Sequence, residues 1–141
     1  AAVILGSMVA QFPLGRISDY VDRRKVMVVC GVFGVGASLW MAGSDASHEY
    51  GLYIAAFAAG MVIFPIYSLN VAHANDLADP GEYVRISSGL TVLYGFGVIA
   101  GPLLAGQAIA WLGAPGLPLL LAVTFAIYAI YAGWRILRRP T

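Results

Sequence analysis

The chain has 141 residues, of which 60% are hydrophobic and 11% are charged, and its formal net charge is +1. A water-soluble domain of this length needs far more polar surface to cover its core, so the composition excludes an ordinary soluble domain and indicates a protein that lies in a bilayer. The small net charge gives no sign of nucleic-acid binding. The single cysteine, Cys30, excludes a disulfide framework and a cysteine metal site.

Five apolar segments dominate the chain, and a helix needs about 20 such residues to cross a membrane. We place the predicted spans at residues 1–14, 26–43, 52–74, 86–112 and 117–136. The predicted fold is therefore an all-α, polytopic helical membrane protein. The first span is short, and the chain opens at Ala1 without the basic segment of a signal peptide. We interpret that span as the tail of a helix that begins upstream, and the chain as a fragment of a longer protein.

The basic residues all fall on one side of this arrangement, in the first and third connectors, at their edges, or in the tail. They are Arg16, Arg23, Arg24, Lys25, Arg85, Arg135, Arg138 and Arg139. The cytoplasmic loops of membrane proteins carry an excess of Lys and Arg. We therefore expect this side, together with the C-terminus, to be cytoplasmic.

The first connector, in the stretch GRISDYVDRRKV, holds four of these basic residues. One interpretation is a cytoplasmic loop whose charges only fix the topology. The order of the residues, however, resembles motif A of the major facilitator superfamily, in which a glycine, an aspartate and a basic pair recur. Gly15, Asp19, Arg23 and Arg24 match that motif.

Two positions depart from the motif, because Tyr20 stands where a basic residue is usual and Asp22 where glycine is usual. The second departure removes the glycine that usually forms the tight turn of the motif. The resemblance implies a conformational latch, in which the Asp19 carboxylate docks on the positive N-terminus of a helix from the other half of a transporter. Arg23 would support that carboxylate.

The fourth span carries a second resemblance, to the helix of the same family that contains Gly-Pro. The matching residues are Gly97, Gly101, Pro102 and Gly106. Small residues four apart let helices approach closely, and a proline can kink a helix.

The matching helix in the first half of the family usually carries an arginine, whereas the span at 52–74 carries none, and the last span is followed by a basic tail. We therefore interpret the chain as helices eight (in part) to twelve of the C-terminal six-helix bundle. The stretches FPIYSLNVAHAND and GPLLAG resemble a subfamily of transporters of the bacterial inner membrane.

Polar residues inside the spans are few, and none is an acid. We therefore expect any proton-coupling carboxylate to lie in the missing N-terminal bundle. Asn70 and His73 lie three residues apart on one helix face, and Gln107 lies in the fourth span. Two interpretations stay open for them, which are hydrogen bonding between helices and contact with a solute in a cavity. The chain shows neither a metal-ligand pattern nor a cofactor motif.

The function that these features favour is secondary transport of a small solute, neutral or hydrophobic, by alternating access. Its partners would be the lipid bilayer and the missing N-terminal bundle of the same protein. The alternative is a small stand-alone helical membrane protein, such as a scaffold or an oligomeric exporter. A membrane enzyme would need polar side chains clustered at one face, and His48 and His73 fall on opposite sides of the predicted topology.

Overall fold

The computed structural model describes residues 1–44, 49–79 and 81–138, and every regular element within those ranges is an α-helix. The helices are α1 (Ala2–Tyr20), α2 (Arg23–Gly43), α3 (Glu49–Asp76), α4 (Tyr83–Leu112) and α5 (Gly116–Arg138). Each helix continues past at least one end of the apolar segment that predicted it. A helix satisfies its own backbone hydrogen bonds in lipid and in water alike, so it does not have to stop where the apolar residues stop.

The connector between α1 and α2 is much shorter than the sequence predicted. The stretch from Arg16 to Lys25 was expected to be a connector, but α1 runs to Tyr20 and α2 begins at Arg23. Asp22 caps α2, since its carboxylate accepts a hydrogen bond of 2.9 Å from the backbone N–H of Arg24. Its φ is −49°, which does not require glycine, so the departure from the motif at this position is compatible with the turn.

Four of the described helices, α2 to α5, are long and apolar enough to cross a membrane by length and composition. α1 is not among them, and its last turns contain the charged Arg16 and Asp19. Many large apolar side chains lie exposed on the outer faces of the bundle. Such a surface is unusual for a soluble monomer and suits a protein that is covered by lipid or by further helices.

The described basic residues gather at one end of the bundle, where α1, α3 and α5 end and α2 and α4 begin, whereas the acidic Glu49 begins α3 at the other end. We call the first of these ends the basic end. It holds every Lys and Arg that the structure describes, which are Arg16, Arg23, Arg24, Lys25, Arg85, Arg135 and Arg138. Arg139 and the connector at 45–48 lie outside the described residues.

The core lies where α2, α3 and α5 meet. Its buried members are Val26, Met27, Cys30, Val62, Leu69, Phe125 and Ala132. These side chains come from two consecutive helices, α2 and α3, and from the distant α5, so the core fixes the relative positions of three of the five helices. α1 packs mainly on α3, and α4 packs on α5 and α3.

Glycines allow two helix pairs to approach closely. A Cβ on Gly60 of α3 would overlap the backbone carbonyl of Val3 in α1. A Cβ on Gly31 of α2 would lie 2.8 Å from the Cβ of Ala129 in α5. Close backbone contact at small residues is the usual way in which membrane helices pack, because lipid gives them no hydrophobic drive to associate.

The glycines that the sequence singled out lie elsewhere. Among the described residues, nothing lies within 4 Å of a Cβ built on Gly97, Gly101 or Gly106, and no residue of α4 is buried. α4 runs from Tyr83 to Leu112 with Pro102 inside it. Close packing at these glycines therefore stays a prediction, and it needs a helix other than the five described here.

Replacing Gly31 by valine should destabilise the bundle, because the added carbons collide with Ala129. Overpacking of this kind costs about 1–3 kcal/mol of unfolding free energy. Gly36 of the same helix is the control, since its side-chain position is open. Unfolding of the natural protein by SDS in mixed micelles measures both variants. Equal destabilisation by Gly31→Val and Gly36→Val would show that the α2–α5 contact is not as close as described.

Candidate functional site

An arginine joins three helices at the basic end. The Nη2 atom of Arg23 lies 3.2 Å from Oδ1 of Asp19, and its Nε lies 3.0 Å from Oδ2 of Asp76. Asp19 stands in the last turn of α1, Arg23 is the first residue of α2, and Asp76 is the last residue of α3. The side chain of Arg23 is only 23% exposed. The guanidinium therefore links the ends of α1 and α3 through the start of α2, and we call these three residues the Arg23 cluster.

The Asp19 carboxylate stays accessible although it is paired, since its side chain is 62% exposed. A cavity of about 340 Å³ between α1, α2 and α3 is lined by Gly15, Asp19 and Arg23 among others. The hydroxyl of Ser18 donates to the carbonyl of Gly15 at 2.7 Å, so this hydroxyl is already hydrogen-bonded within α1. The structure thus brings together three of the four residues that match motif A.

Arg24, the fourth residue of that match, lies at a different place. It lines a cavity of about 240 Å³ between α2, α3 and α5, together with Asn70, His73 and Arg135. Arg23 and Arg24 are neighbours in the sequence, but successive residues of a helix point in directions about 100° apart. The basic pair is therefore divided between two sites.

The three polar residues predicted in the spans are not all brought together. Asn70 and His73 line the same cavity, whereas Gln107 lies exposed on α4 and does not line it. The hydroxyl of Tyr128 in α5 donates to Oδ1 of Asn70 at 3.2 Å. Asn70 thus makes a hydrogen bond between helices and also faces a cavity, so the two interpretations left open by the sequence do not exclude each other.

The residue that sequence reasoning missed is Asp76. The sequence placed Asp76 just beyond the predicted span at 52–74, without a partner for the carboxylate. A signal was present, because Asp76 falls on the same predicted side as the basic pair, but the sequence does not say which of three neighbouring cations it meets. Within the described ranges, no three His, Cys, Asp or Glu side chains come together in a way that would hold a metal ion.

Comparison with known proteins identifies the class. The model of a family described as Major Facilitator Superfamily matches residues 1–141, so the chain belongs to the major facilitator superfamily. The chain is also 29% identical, over 105 residues, to the uncharacterized MFS-type transporter YfkF of Bacillus subtilis (strain 168). That match covers 74% of the chain but 26% of the relative, so the chain spans about a quarter of the relative's length. No solved structure matches the chain significantly.

These findings confirm several predictions made from the sequence. The resemblance to the major facilitator superfamily is confirmed by the family match, and the all-α membrane fold by the helices and their apolar length. Family membership indicates a transporter rather than an enzyme, and does not favour a stand-alone membrane protein. The functional roles of individual residues stay predictions.

The Arg23 cluster should be measurable as an energetic coupling. We expect Arg23→Gln and Asp76→Asn to destabilise the protein less in combination than the sum of the two single changes. The coupling should be about 0.2–1 kcal/mol, as for partly exposed ion pairs. A double-mutant cycle on unfolding in mixed micelles measures it.

The control for this cycle is Arg85 with Glu82, a pair 3.8 Å apart whose arginine is 89% exposed. We expect that pair to show no measurable coupling. If Arg23 and Asp76 were as independent as the control pair, the ion pair between α2 and α3 would contribute nothing to the fold.

Proposed function

We propose that this chain is part of a secondary active transporter that moves a small solute across the cytoplasmic membrane by alternating access. The observation that carries the proposal is the Arg23 cluster, which ties three helix ends together while leaving one carboxylate exposed at the basic end. Alternating access requires two bundles that rock about a central site, and this chain supplies helices of one bundle. The second bundle is the missing N-terminal part of the same protein.

The proposed latch depends on the exposed carboxylate of Asp19. The N-terminus of a helix carries about half a positive charge, and an anion there is stabilised by about 0.3–1 kcal/mol. Arg23 and Asp76 hold the Asp19 turn in place from behind. Gly15 lies one turn before Asp19 with open space beside it, so a helix of the other bundle could approach there without a steric clash.

The face of α4 is the proposed contact surface for the N-terminal bundle. All of its described residues are at least partly exposed, and Gly97, Gly101 and Gly106 have room beside them. Gly97 and Gly101, four residues apart, share one face of the helix and suit close contact with a second helix, whereas Gly106 falls on the opposite side of α4. Gln107, next to Gly106, would face the solute path.

The solute that the chain favours is neutral or hydrophobic. The predicted spans supply mainly aromatic and aliphatic side chains, and no acid of the sequence falls inside one of them. An intramembrane carboxylate is the usual proton-coupling group. Any proton coupling is therefore assigned to the N-terminal bundle.

The proposed location is the bacterial inner membrane, with the basic end and the C-terminus in the cytoplasm. Support comes from the positions of Lys and Arg, which favour the cytoplasmic side of membrane proteins. The proposed orientation also places the Arg23 cluster on that side.

Loss of the Asp19 charge should open the cytoplasmic side. Asp19→Asn is compared with Glu82→Gln, which removes a charge at the same end away from the Arg23 cluster. A cysteine at Ser88, exposed near the start of α4, is labelled by a membrane-impermeant maleimide from the cytoplasmic side, with Cys30 replaced throughout. We expect about fivefold faster labelling in Asp19→Asn, which corresponds to a helix-dipole contact of about 1 kcal/mol.

Insertion should be unaffected by Asp19→Asn, because the remaining cations still fix the topology. An unchanged labelling rate, with normal amounts of protein in the membrane, would contradict the proposed latch. Only the interpretation that these charges fix the topology would then stand.

The orientation has its own test. Alkaline phosphatase, which is active only outside the cytoplasm, is fused after Thr141 or inserted between residues 46 and 47. We expect an inactive C-terminal fusion and an active insertion. Activity of the C-terminal fusion would reverse the proposed topology without affecting family membership.

A further inference from the structure

The last turns of α5 carry two aromatic rings and two arginines on one face of the helix. Tyr131, Trp134, Arg135 and Arg138 follow the spacing i, i+3, i+4 and i+7, which places residues on the same side of a helix. These four side chains line a surface cavity of about 330 Å³. None of them belongs to the Arg23 cluster, so the proposed latch does not account for this arrangement.

Each guanidinium in this cavity is oriented by a group that carries no negative charge. Nη1 of Arg135 donates to the hydroxyl oxygen of Tyr131 at 3.3 Å. The guanidinium carbon of Arg138 lies 4.8 Å from the centroid of the Trp134 ring, and the Trp134 and Tyr131 rings are 6.1 Å apart. A hydroxyl and an aromatic face hold a cation in place without neutralising it. The two arginines are therefore positioned by uncharged partners.

The acids at the basic end do not neutralise these two arginines. The two carboxylates of the Arg23 cluster pair with Arg23, and the Asp22 carboxylate caps α2. Within the part of the chain that the structure describes, no carboxylate lies within 4 Å of Arg135 or Arg138. The face of α5 that carries them is therefore suited to an anion from outside the bundle.

Exposed apolar side chains lead from this cavity along α5. Val123, Ile127 and Ile130 precede Trp134 at the spacing of one helix face, and each is more than half exposed. We call these three residues the apolar strip. From Val123 to Trp134 the helix rises about 16 Å, at about 1.5 Å for each residue. The hydrocarbon core of a bilayer is about 30 Å thick, so the apolar strip matches the depth of one leaflet.

The phosphate of a lipid is the ligand chemistry that this end of α5 fits. Guanidinium groups present planar N–H donors that match phosphate oxygens. Tryptophan and tyrosine prefer the headgroup level of a membrane, and basic groups at that level attract anionic lipids. We propose that Arg135 and Arg138 bind the phosphate of an anionic lipid whose acyl chain lies along the apolar strip, and we call this the lipid site. A soluble phosphate would use the two arginines but would leave the apolar strip uncovered.

The test uses the protein expressed from its complete natural coding region. Its double variant Arg135→Gln/Arg138→Gln is compared with Arg16→Gln/Arg85→Gln, which loses the same charge at the same end but outside the lipid site. Native mass spectrometry reports the phosphatidylglycerol retained from vesicles of equal parts phosphatidylglycerol and phosphatidylcholine. We expect the affinity for phosphatidylglycerol to fall about twenty-fivefold in the lipid-site variant, from about fivefold for each cation, and much less in the control. Equal affinities in the two double variants would overturn the proposal.

A second arm separates a lipid from a soluble anion. Inorganic phosphate is added to the protein in vesicles of phosphatidylcholine alone, and the melting temperature is followed. We expect phosphate to affect the natural protein and the lipid-site variant alike, because free phosphate gains nothing from the apolar strip. Stabilisation by phosphate that is lost in the lipid-site variant, without a preference for phosphatidylglycerol, would overturn the lipid site in favour of a soluble anion.

A single variant keeps the proposal testable should the double variant fail to fold. Arg138→Gln, at an exposed position, is compared with Arg85→Gln in the phosphatidylglycerol measurement. We expect the affinity to fall about fivefold in Arg138→Gln and to change little in Arg85→Gln. Equal affinities in these two variants would overturn the lipid site.

Discussion

The exclusion of charge from the hydrocarbon core is the constraint on which this structure depends. A charged side chain at the centre of a membrane helix costs about 2.5–3.5 kcal/mol in insertion, so ionic contacts between helices are confined to their ends. The chain follows this rule closely, because Arg23 meets Asp19 and Asp76 where α1 and α3 end and α2 begins. Ionic contact between the described helices is thereby concentrated at the basic end, while the spans themselves are held by other means.

Within the spans, the helices are held together by close contact between their backbones and not by ion pairs. Glycines bring α1 against α3 and α2 against α5, and the apolar core joins α2, α3 and α5. α4 stands apart, with no buried residue among its described positions. The proposed alternating access needs both a tightly packed unit and a face open to a second bundle, and the described helices offer the first in α2, α3 and α5 and the second in α4.

The helices could be predicted from the sequence, because long apolar segments and a sharp segregation of Lys and Arg leave few alternatives. The family was predicted from the resemblance of the first connector to motif A, and the family match confirms it. The same reasoning identified Gly15, Asp19 and Arg23, which the structure brings together, but it grouped Arg24 with them. Helix geometry turns Arg24 toward α5, and this could not be foreseen while Arg16 to Lys25 was expected to be a connector. Asp76 was missed because its partner is 53 residues away in the sequence. The packing glycines were sought on α4 because of Pro102, whereas close contact in the described chain occurs at Gly31 and Gly60, which no local pattern distinguishes.

The central claim of this account is that Arg23 holds the ends of α1 and α3 together, so that Asp19 is presented in a fixed position. The most direct test is the distance between spin labels at Tyr20 and Leu77, both exposed beside the Arg23 cluster, measured by electron double resonance in a bilayer. The account predicts one narrow distance distribution that broadens in Arg23→Gln and stays narrow in Arg16→Gln. A distribution that is the same in Arg23→Gln as in the natural protein would contradict it.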